Sequence, residues 1–290
     1  MPKRLTRQID TFTNYSLSLV HYSDMMITTI ADFLINTNPF SPAMLTILIL
    51  VGFVVGFINT LAGMATALSY VLFMAMGMPI NVANGTTRVG VLSQFAVSTL
   101  IFRKKGYLDT KIGTRVGIPV AIGSIIGAQL VAVLNPQIVE IVMGILLPIM
   151  AISLMTDSKL SVNRNYKVKD RLTPLKFIVF VIVGIYGGFT HAGVGILIIF
   201  GSIFFYGLDM LKANAIKQFA VLLYTPLALA VFIWHGQVNW PIALIYAVGN
   251  VAGAIVASRV AISWGVRFIN WVVAIAVITV SFWLIYKQFR

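Results

Sequence analysis

From residue 43 onward, the chain is a succession of apolar runs separated by short turns, and this pattern restricts it to a membrane fold. Apolar residues make up 59% of the sequence and charged residues only 10%. A soluble globule of 290 residues cannot bury that much apolar surface, and so few charges cannot cover its outside. We therefore predict an all-α, polytopic integral membrane protein, because a spanning helix needs about 20 mostly apolar residues.

The apolar runs form two sets of five. They cover residues 43–58, 64–78, 86–102, 112–134 and 137–155 in the first half, and 174–189, 194–208, 214–234, 241–261 and 266–286 in the second. The first two runs of each set are short for a bilayer, which predicts hairpins of broken, re-entrant-like helices. The predicted organisation is an N-terminal amphipathic or membrane helix (1–42), a first membrane repeat (43–155), a basic cytoplasmic linker (156–173) and a second membrane repeat (174–290).

The two sets of runs are copies of each other. A single fixed offset aligns Gly63 with Gly193 and Gly77 with Gly207, and the same offset still holds between Gly123 and Gly253. One offset that persists over this distance is difficult to produce by chance, so the sequence indicates a duplication.

The basic residues predict how the two copies are oriented. The net charge is +13, and most of the basic residues flank apolar runs, where the positive-inside rule places them in the cytoplasm. The loop at 103–111 is rich in Lys and Arg, whereas its copy at 234–240 has neither. The charges of all these loops agree with the positive-inside rule if the two halves have opposite topology, as in the inverted repeats of many secondary transporters. A parallel duplication with loosely distributed loop charges is the alternative.

Each half contains a polar, glycine-containing break between its first two runs. Backbone that leaves the helix at membrane depth is tolerated where it is buried in protein or lines a wet cavity. In an inverted repeat the breaks would approach each other, and the following helix N-termini would offer amide groups to a small anion. Glycines here also allow tight helix packing, so the sequence leaves both roles open. The candidate binding residues are Asn59, Thr60, Gly63, Thr66, Thr190, His191, Gly193 and Gly195.

The third run of each half supplies further candidates for the substrate path. Asn84, Thr86 and Asn214 are residue types that commonly cap helix N-termini. Arg88 is expected in a first helical turn, where a cation opposes the helix dipole, and a bound anion would account for it. Lys217 could instead extend toward the cytoplasmic surface. The candidates in this group are Asn84, Thr86, Arg88, Gln94, Asn214, Lys217 and Gln218.

His191 is an ionisable residue expected inside the membrane, which makes it a functional candidate. It could hydrogen-bond an anion, carry a coupled proton, or stay neutral and donate to a nearby carbonyl. Cysteine is absent and the three histidines are scattered, so we predict no metal site and no cofactor. Nucleotide-binding and catalytic-serine motifs are missing as well, which predicts that the protein is not an enzyme.

These features resemble the TauE/SafE family of sulfite-exporter-like membrane permeases, over roughly residues 44–286. The resemblance rests on the duplicated layout and on three motifs, namely Ala83-Asn84-Gly85-Thr86-Thr87-Arg88 after the turn at Gly77, Gly187-Gly188-Phe189-Thr190-His191-Ala192-Gly193-Val194-Gly195, and Gly236-Gln237-Val238-Asn239-Trp240-Pro241 leading to Gly249 and Gly253. It implies transport of small sulfur oxyanions or organosulfonates, such as sulfite, sulfoacetate or thiosulfate. Two departures, the tip sequence Gly63-Met64-Ala65 and His191 in place of a small residue, leave the substrate open.

The sequence therefore predicts a multi-pass secondary transporter of the plasma (inner) membrane that moves a small anion by alternating access. The alternatives are an anion channel and a proton- or sodium-coupled permease for another small organic solute. The expected partners are the anion and membrane lipids, and a homodimer is left open. Nucleic acid is not expected, because the basic residues flank membrane segments rather than forming a face of a soluble domain.

Overall fold

The computed structural model describes residues 32–61, 63, 65–156 and 171–260, without the side chains of 147–156 and 260. These residues form helices and turns only, which confirms the all-α fold. From Pro42 onward the helices are α1 (Pro42–Leu61), α2 (Thr66–Ala75), α3 (Ile80–Lys104), α4 (Thr110–Val133), α5 (Pro136–Thr156), α6 (Pro174–Phe189), α7 (Val194–Tyr206), α8 (Met210–Trp234) and α9 (Trp240–Val260). Most of the N-terminal helix predicted at 1–42, most of the linker at 156–173 and the run at 266–286 lie outside the described residues.

Four of the described helices, α1, α4, α8 and α9, are long and apolar enough to cross a membrane. Helices α2, α6 and α7 are shorter, as the sequence predicts for the hairpins, but the prediction that the first run (43–58) is also short is wrong, because α1 extends over 20 residues. Large aliphatic side chains such as Ile118 and Ile126 of α4 and Leu244 and Val248 of α9 remain exposed on the outer surface. A polytopic membrane protein presents such a surface to lipid.

Six glycines with positive φ mark the breaks and the helix ends. They fall into three pairs that share the offset of the sequence repeat, namely Gly63 and Gly193, Gly77 and Gly207, and Gly106 and Gly236, with φ between 64° and 85°. A side chain in this left-handed region costs about 1–2 kcal/mol, which glycine avoids. The repeat in the sequence therefore corresponds to a repeat in backbone conformation.

The first helix of each hairpin packs on a helix from the other half. Helix α1 packs along α9, and α6 packs along α4. In both pairs the two backbones are in contact at a glycine. A Cβ added to Gly253 would lie 2.1 Å from the carbonyl oxygen of Phe53, and a Cβ added to Gly123 would lie 2.0 Å from the carbonyl oxygen of Val181. Small residues allow this close approach where helices associate in a membrane.

Helices α3 and α8 are equivalent under the same offset, and they pack antiparallel at the centre of the protein. Gly85, near the start of α3, lies against Phe232, near the end of α8. Conversely, Ser98, late in α3, donates a hydrogen bond of 2.9 Å to the side-chain oxygen of Gln218, early in α8. An inverted repeat requires such a relationship between equivalent helices.

Two helices begin earlier than predicted. Helix α3 starts at Ile80 rather than at residue 86, and α8 starts at Met210 rather than at residue 214. Asn84, Thr86 and Asn214 therefore lie within helices and do not cap helix N-termini, which removes the alternative that they serve only as N-caps. Arg88 likewise lies more than two turns inside α3, not in its first turn. In the extra turns of α3, the Asn84 side chain is paired with another helix, because it donates to the Phe189 carbonyl of α6.

Candidate functional site

The two breaks predicted from the sequence meet inside the protein. The backbone N–H of Gly193 donates to the carbonyl oxygen of Gly63 at 3.2 Å. A Cβ at Gly63 would lie only 3.1 Å from the Cα of Gly195. The first residues of α7 therefore touch the turn between α1 and α2, and the space between them has no room for side chains.

The C-terminus of α1 receives donors from α8. The amine Nζ of Lys217 lies 3.0 Å from the carbonyl oxygen of Asn59 and 3.1 Å from that of Thr60. The Gln218 side chain donates to the same Thr60 carbonyl at 2.8 Å, and the Asn214 amide does so at 3.4 Å. The last carbonyls of a helix lack intrahelical partners and carry the negative end of its dipole, so a cation here is favourable.

The C-terminus of α6 receives donors from α3. The guanidinium Nη2 of Arg88 donates to the carbonyl oxygens of Gly187, at 3.3 Å, and Gly188, at 2.5 Å. The Asn84 amide donates to the carbonyl of Phe189 at 2.7 Å, and its own oxygen accepts from Arg88 Nε at 3.1 Å. Asn84 thus both caps the end of α6 and holds the guanidinium in place.

The two arrangements are reciprocal. Asn59 and Thr60 are the two residues before the last residue of α1. Gly187 and Gly188 are likewise the two residues before the last residue of α6. Each half therefore supplies a buried cation and an asparagine that cap the interrupted helix of the other half. The capping links the halves directly at the predicted site.

Three tyrosines that are not among the predicted site residues complete the second break. Tyr70 donates to the Thr190 carbonyl, and Tyr186 donates to the Ala192 carbonyl at 2.8 Å. Tyr224 shares a hydrogen bond of 2.5 Å with Nδ1 of His191. Tyr224 is the copy of Gln94 under the offset that aligns the glycines, so the repeat itself contains the signal that could have identified it.

His191 is the one non-glycine residue with positive φ in the described part of the chain, at 56°. Its ring also contacts Phe95, with 6.3 Å between the ring centroids. Strained backbone of this kind persists where the surrounding contacts fix it, and it concentrates at functional sites. The imidazole is therefore held at the break by Tyr224 and Phe95 and not by local backbone preference.

The remaining predicted residues divide into two groups. Thr66 accepts from the Asn59 amide at 2.8 Å, and the Gln94 amide donates to the Thr60 hydroxyl at 3.3 Å, so both belong to the cluster around the end of α1. Thr86 lies apart from the breaks, where its hydroxyl accepts from the backbone N–H of Asn239 at 2.9 Å. Its observed contact is structural, because it joins α3 to the start of α9.

The site contains more positive than negative charge. Arg88 and Lys217 are fully buried, so Lys217 does not extend toward the surface, and no Asp or Glu is buried among the residues the structure describes. Several polar atoms at the site are also buried without a hydrogen-bond partner, namely Arg88 Nη1, Thr190 Oγ1, Asn59 Oδ1 and Gln94 Oε1. Burying unpaired polar groups is costly, and ionisable residues inside a membrane protein usually mark the path of a solute.

An all-helical membrane protein with two interrupted helices meeting at a buried polar centre belongs to the class of membrane transporters. The particular family follows from comparison with known proteins, because the family model for sulfite exporter TauE/SafE matches residues 48–284. The chain therefore belongs to the TauE/SafE family of membrane transporters.

Relatives in several bacteria carry the same general description. A protein of Sinorhizobium sp, described as probable membrane transporter protein ORF9, is 26% identical over 229 residues, which cover 78% of this chain and 87% of the relative. A probable membrane transporter protein of Haemophilus influenzae is 24% identical, over 84% of this chain and 96% of the relative. The probable membrane transporter protein YfcA of Escherichia coli K12 is 25% identical, over 86% and 92%. No solved structure matches the chain.

Proposed function

We propose that the protein is a secondary transporter that moves a small anion across the plasma membrane by alternating access between two inverted halves. Sulfite and organosulfonates such as sulfoacetate are the proposed substrates, following the family's description as sulfite exporters. The observation that carries the proposal is Arg88, which is fully buried and keeps one guanidinium nitrogen, Nη1, without a hydrogen-bond partner.

The balance of charge favours an anion over a cation or a neutral solute. Arg88 contributes one positive charge, and the C-terminus of α6 that it caps contributes about half a negative charge. No buried carboxylate among the described residues offsets the remainder. Part of the positive charge of Arg88 therefore stays uncompensated in a region of low dielectric, where a bound anion would lower the free energy.

The donors at the end of α6 suit the oxygen atoms of such an anion. The guanidinium has its Nε and Nη2 groups engaged with Asn84 and the backbone, which fixes its plane and leaves Nη1 to bind a ligand. The Thr190 hydroxyl is a second buried group without a partner, two residues beyond the Gly188 carbonyl that Arg88 holds. Oriented guanidinium and hydroxyl donors match the geometry of oxyanions.

The position of these groups supports a carrier. Thr60, Arg88, Thr190, His191 and Lys217 are all buried, as expected for a carrier with its centre closed to both sides. The antiparallel packing of α3 and α8 and the reciprocal capping of α1 and α6 support an inverted repeat around this centre. Rocking of one half against the other would then expose the same donors to each side in turn.

The test is counterflow of radiolabelled sulfite and sulfoacetate in proteoliposomes that contain purified protein. A carrier gives saturable uptake that an unlabelled internal substrate accelerates, and Arg88→Gln abolishes it. Lys212→Gln is the matched control, because Lys212 has a largely exposed side chain paired with Asp209 at 3.4 Å. Uptake that neither saturates nor shows counterflow would indicate a channel, and full activity of Arg88→Gln would contradict the proposed site.

A further inference from the structure

The end of α1 resembles a cation-binding site that a lysine side chain occupies. In transporters with broken helices, carbonyl oxygens at half-helix C-termini commonly coordinate Na⁺. Here two successive carbonyl oxygens of that kind, on Asn59 and Thr60, lie 3.0 Å and 3.1 Å from the Lys217 amine. Hard cations prefer oxygen ligands such as these, and the amine stands where such an ion would be held.

The lysine reaches this position by a route that the fold provides. A Cβ at Gly195 would lie 2.9 Å from Cδ of Lys217, so the aliphatic stem runs directly past the first turn of α7. Gly195 in turn touches Gly63. The amine therefore sits beside the contact between the two breaks, where a bound ion would influence both hairpins.

We propose that Lys217 takes the place of a coupling cation at the end of α1, so that the native protein needs no Na⁺ here and removal of the amine creates a Na⁺ site. Arg88 fills the equivalent position at the end of α6, on the Gly187 and Gly188 carbonyls. The role in coupling rests on the proposed transport function, whereas the ion site itself is a property of these helix ends.

The oxygen atoms left by removal of the amine can serve a metal ion. The Asn59 and Thr60 carbonyls remain, and Asn59 Oδ1 is a further oxygen that is already buried without a partner. The Thr60 carbonyl keeps its hydrogen bond from Gln218, which holds the end of α1 in place. A Lys217→Ala variant therefore retains the oxygen ligands and leaves space for an ion with water.

The experiment compares thermal unfolding of purified protein in NaCl, KCl and choline chloride at equal ionic strength. We expect the Tm of the native protein to be the same in all three salts. The Tm of Lys217→Ala should rise with Na⁺ in a saturable manner, by about 2 °C at ten times the Kd. Lys217→Met is the matched control, because it loses the charge but keeps a stem that fills the space, and it should not respond.

Several results would overturn the proposal. They are a folded Lys217→Ala protein whose Tm ignores Na⁺, an equal response of Lys217→Ala and Lys217→Met, and a saturable Na⁺ response of the native protein. If Lys217→Ala cannot be purified in choline chloride, recovery of a monodisperse protein upon addition of Na⁺ supports the proposal, and failure to recover it contradicts the proposal. No substrate is present, so a failure of the anion-transport proposal would leave this readout unchanged.

Discussion

Gly63 and Gly195 are in contact where the two breaks meet. A Cβ added to either glycine would lie 3.1 Å from the Cα of the other. One belongs to the turn after α1 and the other to the first turn of α7, and they come from opposite halves of the chain. Any movement of one half against the other must change this contact.

Gly195→Ala tests the contact between the breaks. The added Cβ would approach the Gly63 backbone at 3.1 Å and the Lys217 stem at 2.9 Å, so we expect a loss of about 1–3 kcal/mol in the free energy of unfolding and a large loss of anion flux. Thermal unfolding and proteoliposome uptake measure the two effects. The control is Gly113→Ala, where the atoms nearest to the new Cβ, the first at 2.6 Å, belong to the half-buried Phe219 side chain, which can move more easily than backbone. Wild-type flux in Gly195→Ala would show that the close contact is not needed for transport.

Gly253→Ala and Gly123→Ala test the equivalence of the two helix pairs. In each case the new Cβ would lie about 2 Å from a backbone carbonyl oxygen of the neighbouring helix, which cannot move without displacing that helix. We expect both variants to lower the Tm by similar amounts, and each by more than Gly113→Ala does. Strongly unequal effects would argue against equivalent packing in the two halves.

Tyr224→Phe tests the support of His191. The variant removes the hydroxyl bonded to His191 Nδ1 and leaves a buried imidazole nitrogen unpaired, which costs about 1–3 kcal/mol. We expect a lower Tm together with slower sulfite flux. Tyr107→Phe, in the loop between α3 and α4, serves as the control for loss of a hydroxyl. Unchanged flux in Tyr224→Phe would separate His191 from the transport cycle.

Arg88→Lys tests whether the shape of the guanidinium matters as well as its charge. Arg88 bonds to Asn84 and to two backbone carbonyls while keeping Nη1 unpaired, and an ammonium group cannot reproduce this fork. We expect a folded protein with anion affinity at least about tenfold weaker, from the loss of one charge-assisted hydrogen bond. Direct binding by calorimetry measures the change, and native affinity would mean that charge alone is sufficient.

The sequence was sufficient to predict the apolar helices and the contact between the two breaks, because hydropathy and the positions of glycines can be read along the chain. The early start of α3 could not be predicted, since residues 80–85 include two asparagines and a glycine and interrupt the apolar run. These turns are helical because Asn84 pairs with the Phe189 carbonyl, 105 positions away in the chain.

The roles of the two cations were also beyond the sequence. Lys217 bonds to residues more than 150 positions away, and Arg88 bonds to residues about 100 positions away, so no local pattern indicates their partners. The two helix pairs are also separated by different distances along the sequence. The start of α8 follows the start of α3 by two residues more than the end of α6 follows the end of α1. This local shift hides the correspondence of Asn59 and Thr60 with Gly187 and Gly188 in a simple alignment.

The most direct test of the central claim is equilibrium binding of anions to the purified protein. We predict that sulfite or sulfoacetate binds to the native protein and to Lys212→Gln with the same Kd, whereas binding to Arg88→Gln is weakened at least about tenfold. Native affinity in a folded Arg88→Gln protein, or no binding of either anion to the native protein, would contradict the account.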